Sequence, residues 1–285
     1  MSTSPLLRSV LLVVFALATL PAPAHAQVTP SAPAPEGVLE LLLKDGARFY
    51  GRVEREEEDQ ITFRVSSGAV LVVSRGEVVA LRPVRGRIRD GEFVRADAHR
   101  TRLFFAPTAR SLPARSTSIG IFELYVPFVQ AGVTDRISIG GGTPLIFGFD
   151  EANRPFWVTP KVQVYDSERR QAAVGVLHLF NFDGDGVGIA YGVGTFGSED
   201  DALTVGAGMA YAGDSRGGVV MIGGETRPRR NLKVITENYV WRGGGILSAG
   251  VRFMGERFST DLGLAVPWGG DFFVAFPVVN FVYVF

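Results

Sequence analysis

The last eight residues, 278–285, constrain the fold of this chain more than any other stretch. Side chains alternate between the two faces of a β-strand, so Val279, Phe281, Tyr283 and Phe285 share one face. The chain stops on the aromatic residue of that face. An amphipathic strand that ends on an unprotected phenylalanine needs an apolar environment for that face.

The N-terminal segment has the features of an export signal. Arg8 is the one charged side chain in residues 1–26, an apolar run at 10–20 follows it, and Ala24-His25-Ala26 forms a small-residue cleavage site. We therefore predict a signal peptide at 1–26, cleaved before Gln27. The apolar run is too short to cross a bilayer as a helix, and no later run reaches about eighteen apolar residues. Any membrane-spanning part must consist of strands.

These two ends together resemble those of a bacterial outer-membrane β-barrel, in which an amphipathic strand closes the barrel. The resemblance implies two partners. One is outer-membrane lipid, and the other is the barrel-assembly machinery, which would recognise the strand that ends at Phe285.

Composition narrows the classes of function. Glycine accounts for 35 of 285 residues and phenylalanine for 21, which disfavours helices and suits strands. The absence of cysteine excludes thiolate catalysis, cysteine-based metal sites and disulfides. The formal net charge is zero, so nothing indicates a nucleic-acid partner.

A Pro- and Ala-rich spacer at 27–36 precedes a small β domain at 37–83. We predict five strands there, at 38–43, 49–53, 61–65, 69–73 and 78–81, with a tight turn at Asp45-Gly46.

The apolar pattern of this domain resembles the first half of the Sm-like fold, a small SH3-like barrel. The residues that carry the resemblance are Leu43-Lys44-Asp45-Gly46, Phe49, Gly51, Val53, Ile61 and Phe63. The acidic tip at 54–59 would repel phosphate, so we expect a structural role, or docking to a periplasmic protein or to peptidoglycan, and no nucleic-acid binding.

An Arg-rich connector follows at 84–100, with arginines at 85, 87, 89, 95 and 100. It is interpreted either as a solvated linker or as a segment attracted to anionic headgroups or peptidoglycan.

Strand-like segments of about ten residues recur through 101–285, each long enough to cross a bilayer when tilted. The chain is therefore predicted to be all-β, with an approximately twelve-stranded antiparallel up-and-down membrane barrel after the small domain. The predicted strands are 101–107, 117–127, 135–146, 155–166, 171–181, 186–196, 202–212, 218–227, 231–241, 244–254, 257–266 and 276–285.

The connections alternate between short, charged turns and loops that are richer in glycine and more variable in length. Outer-membrane barrels have short periplasmic turns and longer outer loops. This assignment places the short turns and the domain at 37–83 in the periplasm, which an even strand number requires.

Alternating faces predict a lipid-facing exterior. Leu203, Val205 and Met209 oppose a glycine-rich face, and Ile189, Tyr191 and Val193 are assigned to the exterior by the same rule. Aromatic residues collect near strand ends in two girdles. The outer set is Phe147, Phe149, Phe156, Trp157, Phe180, Phe182, Trp241 and Trp268, and the inner set is Phe128, Tyr165, Phe196, Phe253, Phe258, Tyr283 and Phe285.

Residues 37–285 as a whole resemble an uncharacterised family of exported bacterial outer-membrane barrels with an Sm-like domain in front. The segments that carry this resemblance are 101–108, 132–136 and 197–200. It implies a location in the outer membrane and no particular activity.

Several polar residues lie in the middle of predicted strands. We assign them to the inward face, because a charge facing hydrocarbon would cost roughly 2–4 kcal/mol. They either pair in a network that plugs the barrel or line a narrow porin-like channel for small polar solutes or cations. In the plugged case the barrel would anchor the small domain. The candidate lumen-lining residues are Glu123, Lys161, Gln163, Glu225, Glu237, Arg252 and Asp261.

Enzymatic alternatives have little support in the sequence. An outer-membrane lipid hydrolase centred on His178 is a remote third hypothesis, since no serine occurs at a matching height in the adjacent strands. The G-x-G-x-x-G match at 192–197 lacks the helix that a dinucleotide site needs, and Asp183-Gly184-Asp185 lacks a glutamate at the twelfth position of a calcium loop. No catalytic residue, cofactor or metal is expected.

Removal of Phe285 tests the importance of the terminal strand. We expect the shortened chain to reach the periplasm but to insert poorly into the outer membrane, because the strand loses the aromatic residue at its end. The yield of heat-modifiable, folded barrel in the outer-membrane fraction measures this effect. A normal yield would show that Phe285 is dispensable.

Overall fold

The computed structural model describes residues 37–145, 154–181, 186–255, 257–269 and 274–285. Residues Gly37–Phe285 form one compact unit. Within the described ranges the regular structure is β, apart from one 3-10 turn at Arg75–Glu77. No described helix is long and apolar enough to cross a membrane. The predicted signal peptide and spacer lie outside the described residues.

The predicted small domain forms a five-stranded antiparallel sheet in the order β4-β3-β2-β1-β5, which confirms the predicted strands. Alternate residues such as Leu41 and Phe63 form its apolar core. Strands β4 and β5 are the edges of the described ladder, so it is not a closed barrel, and the Sm-like assignment stays a prediction. The strands are β1 Val38–Leu43, β2 Arg48–Glu56, β3 Gln60–Val65, β4 Val70–Ser74 and β5 Val78–Val84.

The Arg-rich connector folds as a hairpin of β6, Gly86–Arg89, and β7, Glu92–Arg95, rather than as a solvated linker. Phe93 stacks on Tyr50 of β2 with the ring centroids 4.4 Å apart. The Arg95 guanidinium lies 5.4 Å from the Phe93 centroid. These contacts fix the hairpin against the small sheet.

Twelve further strands form a closed antiparallel barrel, as predicted, in which β19 pairs with β8 from Asn280↔Phe122 to Val284↔Ser118. The strands are β8 Thr117–Phe122, β9 Val126–Gly132, β10 Ile137–Gly142, β11 Phe156–Ser167, β12 Arg170–Phe180, β13 Val187–Gly197, β14 Ala202–Ala212, β15 Ser215–Arg229, β16 Leu232–Trp241, β17 Gly244–Met254, β18 Phe258–Trp268 and β19 Phe276–Val284.

The predicted strand count is right because two errors compensate. The predicted strand 101–107 is not part of the wall, whereas the predicted strand 117–127 contains β8, a tight turn and the start of β9. Glu123 and Leu124 make that turn with left-handed φ values of 49° and 66°. Neither is a residue that usually marks such a turn, so no signal in the sequence indicated it.

The first and last barrel strands begin and finish at the same end of the barrel, where Phe285 N–H donates to Thr117 O at 3.1 Å. We call this the termini end. The charged turns at 133–136, 168–169, 198–201 and 230–231 lie there, and the glycine-containing connections 213–214 and 242–243 lie at the opposite end. The two predicted classes of connection are thus at opposite ends.

Apolar side chains cover the exterior, as with Leu203, Met209 and Leu264. Three aromatic residues depart from the predicted girdles. Phe128 is buried, Trp157 lies inside the barrel against Gly142, and Trp241 is on the inward face of β16 by its pairing with Val219. Residues 147, 149 and 182 lie outside the described ranges. Exposed aromatic residues of the inner girdle at the termini end are Tyr165, Phe196, Phe253, Phe258, Tyr283 and Phe285.

Strand β13 has the opposite orientation to the one predicted. Val193 is buried in the barrel core and Tyr191 packs against that core, while the face of Gly188, Ala190 and Gly192 points outward. The physical reason is that the wide lumen needs large side chains to fill it, and the bulky residues of β13 supply part of that volume. The Tyr211 ring occupies the space over Gly188 on the outside.

Candidate functional site: a plugged lumen

The register of the strands divides the lumen into two halves. Toward the termini end many inward residues are polar, including Gln130, Lys161 and Arg252. Toward the opposite end they are mostly apolar, including Phe122 and Ile189. The lumen is therefore amphipathic along its length.

Residues 97–111, which we call the plug, fill the polar half. Its central part is a hairpin in which Arg102 bridges to Pro107 and Thr108 N–H donates to Thr101 O at 2.9 Å. Leu103 and Phe104 at the tip of the hairpin (residues 103–106) are fully buried against inward residues such as Ile235 and Val278. The segment predicted as the first wall strand is thus a hairpin within the barrel.

Glu237 of β16 caps the hairpin tip. The backbone amides of residues 104, 105 and 106 donate to its Oε2 at 2.7, 3.0 and 3.0 Å. Its Oε1 accepts a hydrogen bond from the Tyr239 hydroxyl at 2.8 Å. A carboxylate that accepts several hydrogen bonds satisfies amides that would otherwise be buried without a partner.

Lys161 of β11 holds the base of the same hairpin. Its Nζ donates to the carbonyl oxygens of Thr101, Thr108 and Arg110 at 3.2, 3.0 and 2.6 Å. An ammonium group has three donors, and all three are used here.

Arg252 of β17 binds the other side of the plug. It pairs with Asp261 through Nε and Nη2 at 2.6 and 3.0 Å. Its Nη2 also donates to Leu103 O at 2.6 Å, and its Nη1 lies 3.1 Å from Asp97 Oδ2. The guanidinium is fully buried, and each of its three nitrogens donates to at least one acceptor.

Six buried ionic groups of the lumen form one chain of alternating charge. Lys233 Nζ joins its two halves, 2.7 Å from Glu225 Oε2 and 2.9 Å from Asp97 Oδ2. Arg110 pairs with Glu225 at one end of the chain. The chain is neutral, so it gives the lumen no acidic bias. In order, its members are Arg110, Glu225, Lys233, Asp97, Arg252 and Asp261.

For two of the predicted lumen residues, the described part of the chain shows no hydrogen bond or ion pair to the plug. Glu123 lies in the β8–β9 turn rather than mid-strand, at the edge of the apolar half. Gln163 is buried near the termini end, where its backbone N–H donates to Arg136 O at 2.8 Å. Lys161, Glu225, Glu237, Arg252 and Asp261 are the predicted residues that the structure brings together around the plug or its charge chain.

Sequence reasoning missed four charged residues of the lumen. Lys233 could have been found, because it shares the inward face of β16 with Ile235 and Glu237. Asp97, Arg102 and Arg110 carried no such signal, because they belong to a segment with irregular backbone.

Above the plug, the apolar half of the lumen contains a cavity of about 380 Å³. Phe105 of the hairpin tip faces this cavity and is 41% exposed, so protein atoms of the described residues do not fill it. The apolar lining residues include Val126, Trp157, Leu177, Ile189, Val219 and Met221.

His178 faces away from the lumen. It pairs across strands with Gly188, next to which Leu177 and Ile189 point inward. Its Nδ1 lies 2.8 Å from the Tyr211 hydroxyl on the outer surface. This position is in the aromatic girdle near the opposite end.

The sequence motifs that resemble cofactor or metal sites have no site geometry. The G-x-G-x-x-G match at 192–197 runs from within β13 to its last residue, Gly197. Asp183-Gly184-Asp185 lies outside the described residues. Among the residues that the structure describes, no three metal-binding side chains cluster.

No protein-family model matches the sequence, and a comparison with curated proteins finds no match. Among solved structures, one similar chain is OmpTdeltaL8, a loop L8 deletion mutant of OmpT, an outer membrane protein of Vibrio cholerae. The likeness has a TM-score of 0.34 and 10% sequence identity, and it covers 87% of this chain and 96% of that one. It is too low to support an inference about function.

The β6–β7 hairpin is tied to the barrel turn at 198–201. Arg87 pairs with Asp200, and Arg89 Nη1 lies 3.2 Å from the same carboxylate. The plug contacts the same turn, since Arg100 Nη1 lies 2.5 Å from Glu199 Oε1. Burial alone would raise the pKa of Asp200, but the guanidinium groups of Arg87 and Arg227 lower that pKa below its usual value.

We expect Arg252→Met to destabilise the barrel by about 3–5 kcal/mol. The substitution leaves the buried Asp261 carboxylate without its arginine partner, and Asp97 keeps only Lys233 of its two basic partners. Urea unfolding of the protein in lipid vesicles measures the change. Arg229→Met is the matched control, since Arg229 is exposed at the end of β15 and its loss should cost less than about 0.5 kcal/mol. Equal effects of both variants would contradict a special role for Arg252.

We expect the contact between hairpin and barrel to weaken only in acid. Because the pKa of Asp200 is lower in the folded protein than its unfolded value of about 3.9, ionised Asp200 stabilises the contact fully at a pH above about 3.9. This stabilisation is lost as the pH falls through the pKa of Asp200 in the folded protein. Cross-linking between the β6–β7 hairpin and the 198–201 turn should therefore be constant from about pH 7 to 5 and fall below about pH 4.

Asp200→Asn should reduce the cross-linking already at neutral pH and remove part of the acid transition. If the wild-type contact instead weakened between about pH 7 and 5, a different titrating group would control it.

Proposed function

We propose that this chain is an outer-membrane β-barrel whose lumen is sealed by its own plug, and that the barrel anchors the five-stranded domain on the periplasmic side. The observation that carries the proposal is the capping of the hairpin tip by Glu237. The hairpin uses its backbone amides, its carbonyl oxygens and its apolar side chains to bind the barrel wall.

Membrane placement is supported by the exterior of the barrel. Strands β11 to β19 contain nine to fifteen residues, enough to cross a bilayer when tilted. Exposed apolar residues such as Leu247, Leu262 and Leu264 alternate with buried polar ones, which suits contact with hydrocarbon. A periplasmic position for the termini end follows from its short turns.

Sealing is favoured over the porin-like channel that the sequence also allowed. A path for small polar solutes or cations would need free charges along the lumen. Instead, Glu225 and Asp261 are paired with bases, and Glu237 is saturated by amides and Tyr239. Opening the polar half would break these contacts together.

The anchoring role is supported by the ion pairs that join Arg87 of the β6–β7 hairpin to Glu199 and Asp200. The small sheet has an edge strand, β4, that exposes Val70 and Val72. An exposed apolar edge of this kind fits a periplasmic protein partner better than peptidoglycan, which offers mainly polar groups.

Conductance in a planar bilayer tests the sealed barrel. We expect the wild-type protein to insert without discrete openings. Glu237→Leu should give intermittent openings, because three buried amides at the hairpin tip lose their acceptor and the plug becomes less stable.

Thr236→Leu is the control, since Thr236 is the adjacent residue on β16 and faces outward. It should remain silent. Discrete, cation-selective openings of the wild-type protein would overturn the sealed barrel in favour of the channel.

A further inference from the structure

The barrel wall is low on one side. Strands β8, β9 and β10 have six, seven and six residues, fewer than the approximately nine to eleven that a strand needs to cross the hydrocarbon layer. Their neighbours β11 and β19 have twelve and nine residues. The turn between β8 and β9 therefore lies below the level that the other strands reach.

In the part of the chain that the structure describes, a notch lies between β19 and this turn. The β19–β8 ladder stops at Asn280↔Phe122, and in the described residues one more hydrogen bond, from Glu123 N–H to Val279 O at 2.8 Å, follows it. Phe276 faces inward by its pairing with Ala265, yet it is 52% exposed. The lower rim of the notch is apolar, because Leu124 in the turn is 62% exposed.

The notch adjoins the apolar cavity above the plug. Phe122, Glu123 and Val126, which flank the low turn, also line that cavity. The basic and phenolic groups of its lining already have partners. Lys161 binds three carbonyl oxygens, Arg102 donates to Gln130 at 2.9 Å, Tyr239 donates to Glu237, and the Tyr191 hydroxyl is hydrogen-bonded to Thr159. The cavity therefore offers an apolar ligand a large contact area and a polar solute few free partners.

We propose that the apolar half of the lumen binds one acyl chain of a membrane phospholipid, which enters sideways through the notch. The low wall lies at the level of the hydrocarbon layer, so the nearest source of an apolar chain is the bilayer itself. The plug forms the floor of the site, with Phe105 against the chain. This inference rests on the membrane placement proposed above.

Fluorescence quenching by lipids with brominated acyl chains tests the site. Trp157 is a suitable reporter because its ring lies inside the barrel, against Gly142. In a protein with Trp241→Phe and Trp268→Phe, Trp157 is the remaining tryptophan, since the sequence has three. Bromine quenches indole emission only at short range, so we expect quenching in vesicles of brominated phosphatidylcholine.

A matched pair of variants locates the quencher. Val219→Phe narrows the cavity from the inside, whereas Val220→Phe adds the same ring to the outer surface at the next residue. We expect the first variant to lose at least half of the quenching and the second to retain it.

Each outcome has a separate meaning. Failure of the protein to float with the vesicles would overturn the membrane placement. A protein that inserts but shows no quenching of Trp157 would overturn the acyl-chain site alone. Equal quenching in both variants would also overturn it, because the bromine would then reach Trp157 without entering the cavity.

Discussion

The structure depends on how the lumen of a twelve-stranded barrel is filled. About eight strands make an interior that side chains alone can fill, and a wider barrel leaves space for water or for another part of the chain. Here the plug supplies the missing volume, but it brings backbone amides and carbonyl groups into a buried place. Each of these must find a partner. Glu237, Lys161 and Arg252 are those partners, which explains why the inward faces of three different strands carry charge at the termini end.

The same constraint accounts for the apolar half of the lumen. The hairpin tip ends at residues 103–106, and beyond it no backbone needs a partner from the wall. Inward positions there are bulky and mostly apolar, as at Trp157 and Ile189, and they leave a cavity. The lumen therefore has two environments with different roles, of which one fixes the plug and the other is available to an apolar ligand.

Regular periodicity made the wall of the barrel predictable from the sequence, whereas the plug has no such period and was missed. The alternation of β16, β17 and β18 placed Glu237, Arg252 and Asp261 inward, since charge is costly on the outer face. For Ile189 and Tyr191 the alternation identified a shared face but not its direction, because an apolar residue suits either lipid or a filled lumen. The prediction that they face outward was therefore wrong. Residues 101–107 of the hairpin were predicted to form a strand because their apolar residues are strand-like. Their burial depends on contacts with β13, β15, β16 and β19, which are distant in sequence.

The plug also joins the small domain to the barrel. Strand β7 ends at Arg95 and the plug begins at residue 97, so no flexible spacer separates them. The turn at 198–201 contacts both parts, because Asp200 binds Arg87 of the hairpin and Ser198 O accepts a hydrogen bond from Arg110 of the plug at 2.5 Å. The plug itself is held by the buried charge chain through Asp97, which binds Lys233 and Arg252 of the wall. The segment that follows the small sheet is therefore fixed to the barrel at two places, the turn at 198–201 and the charge chain.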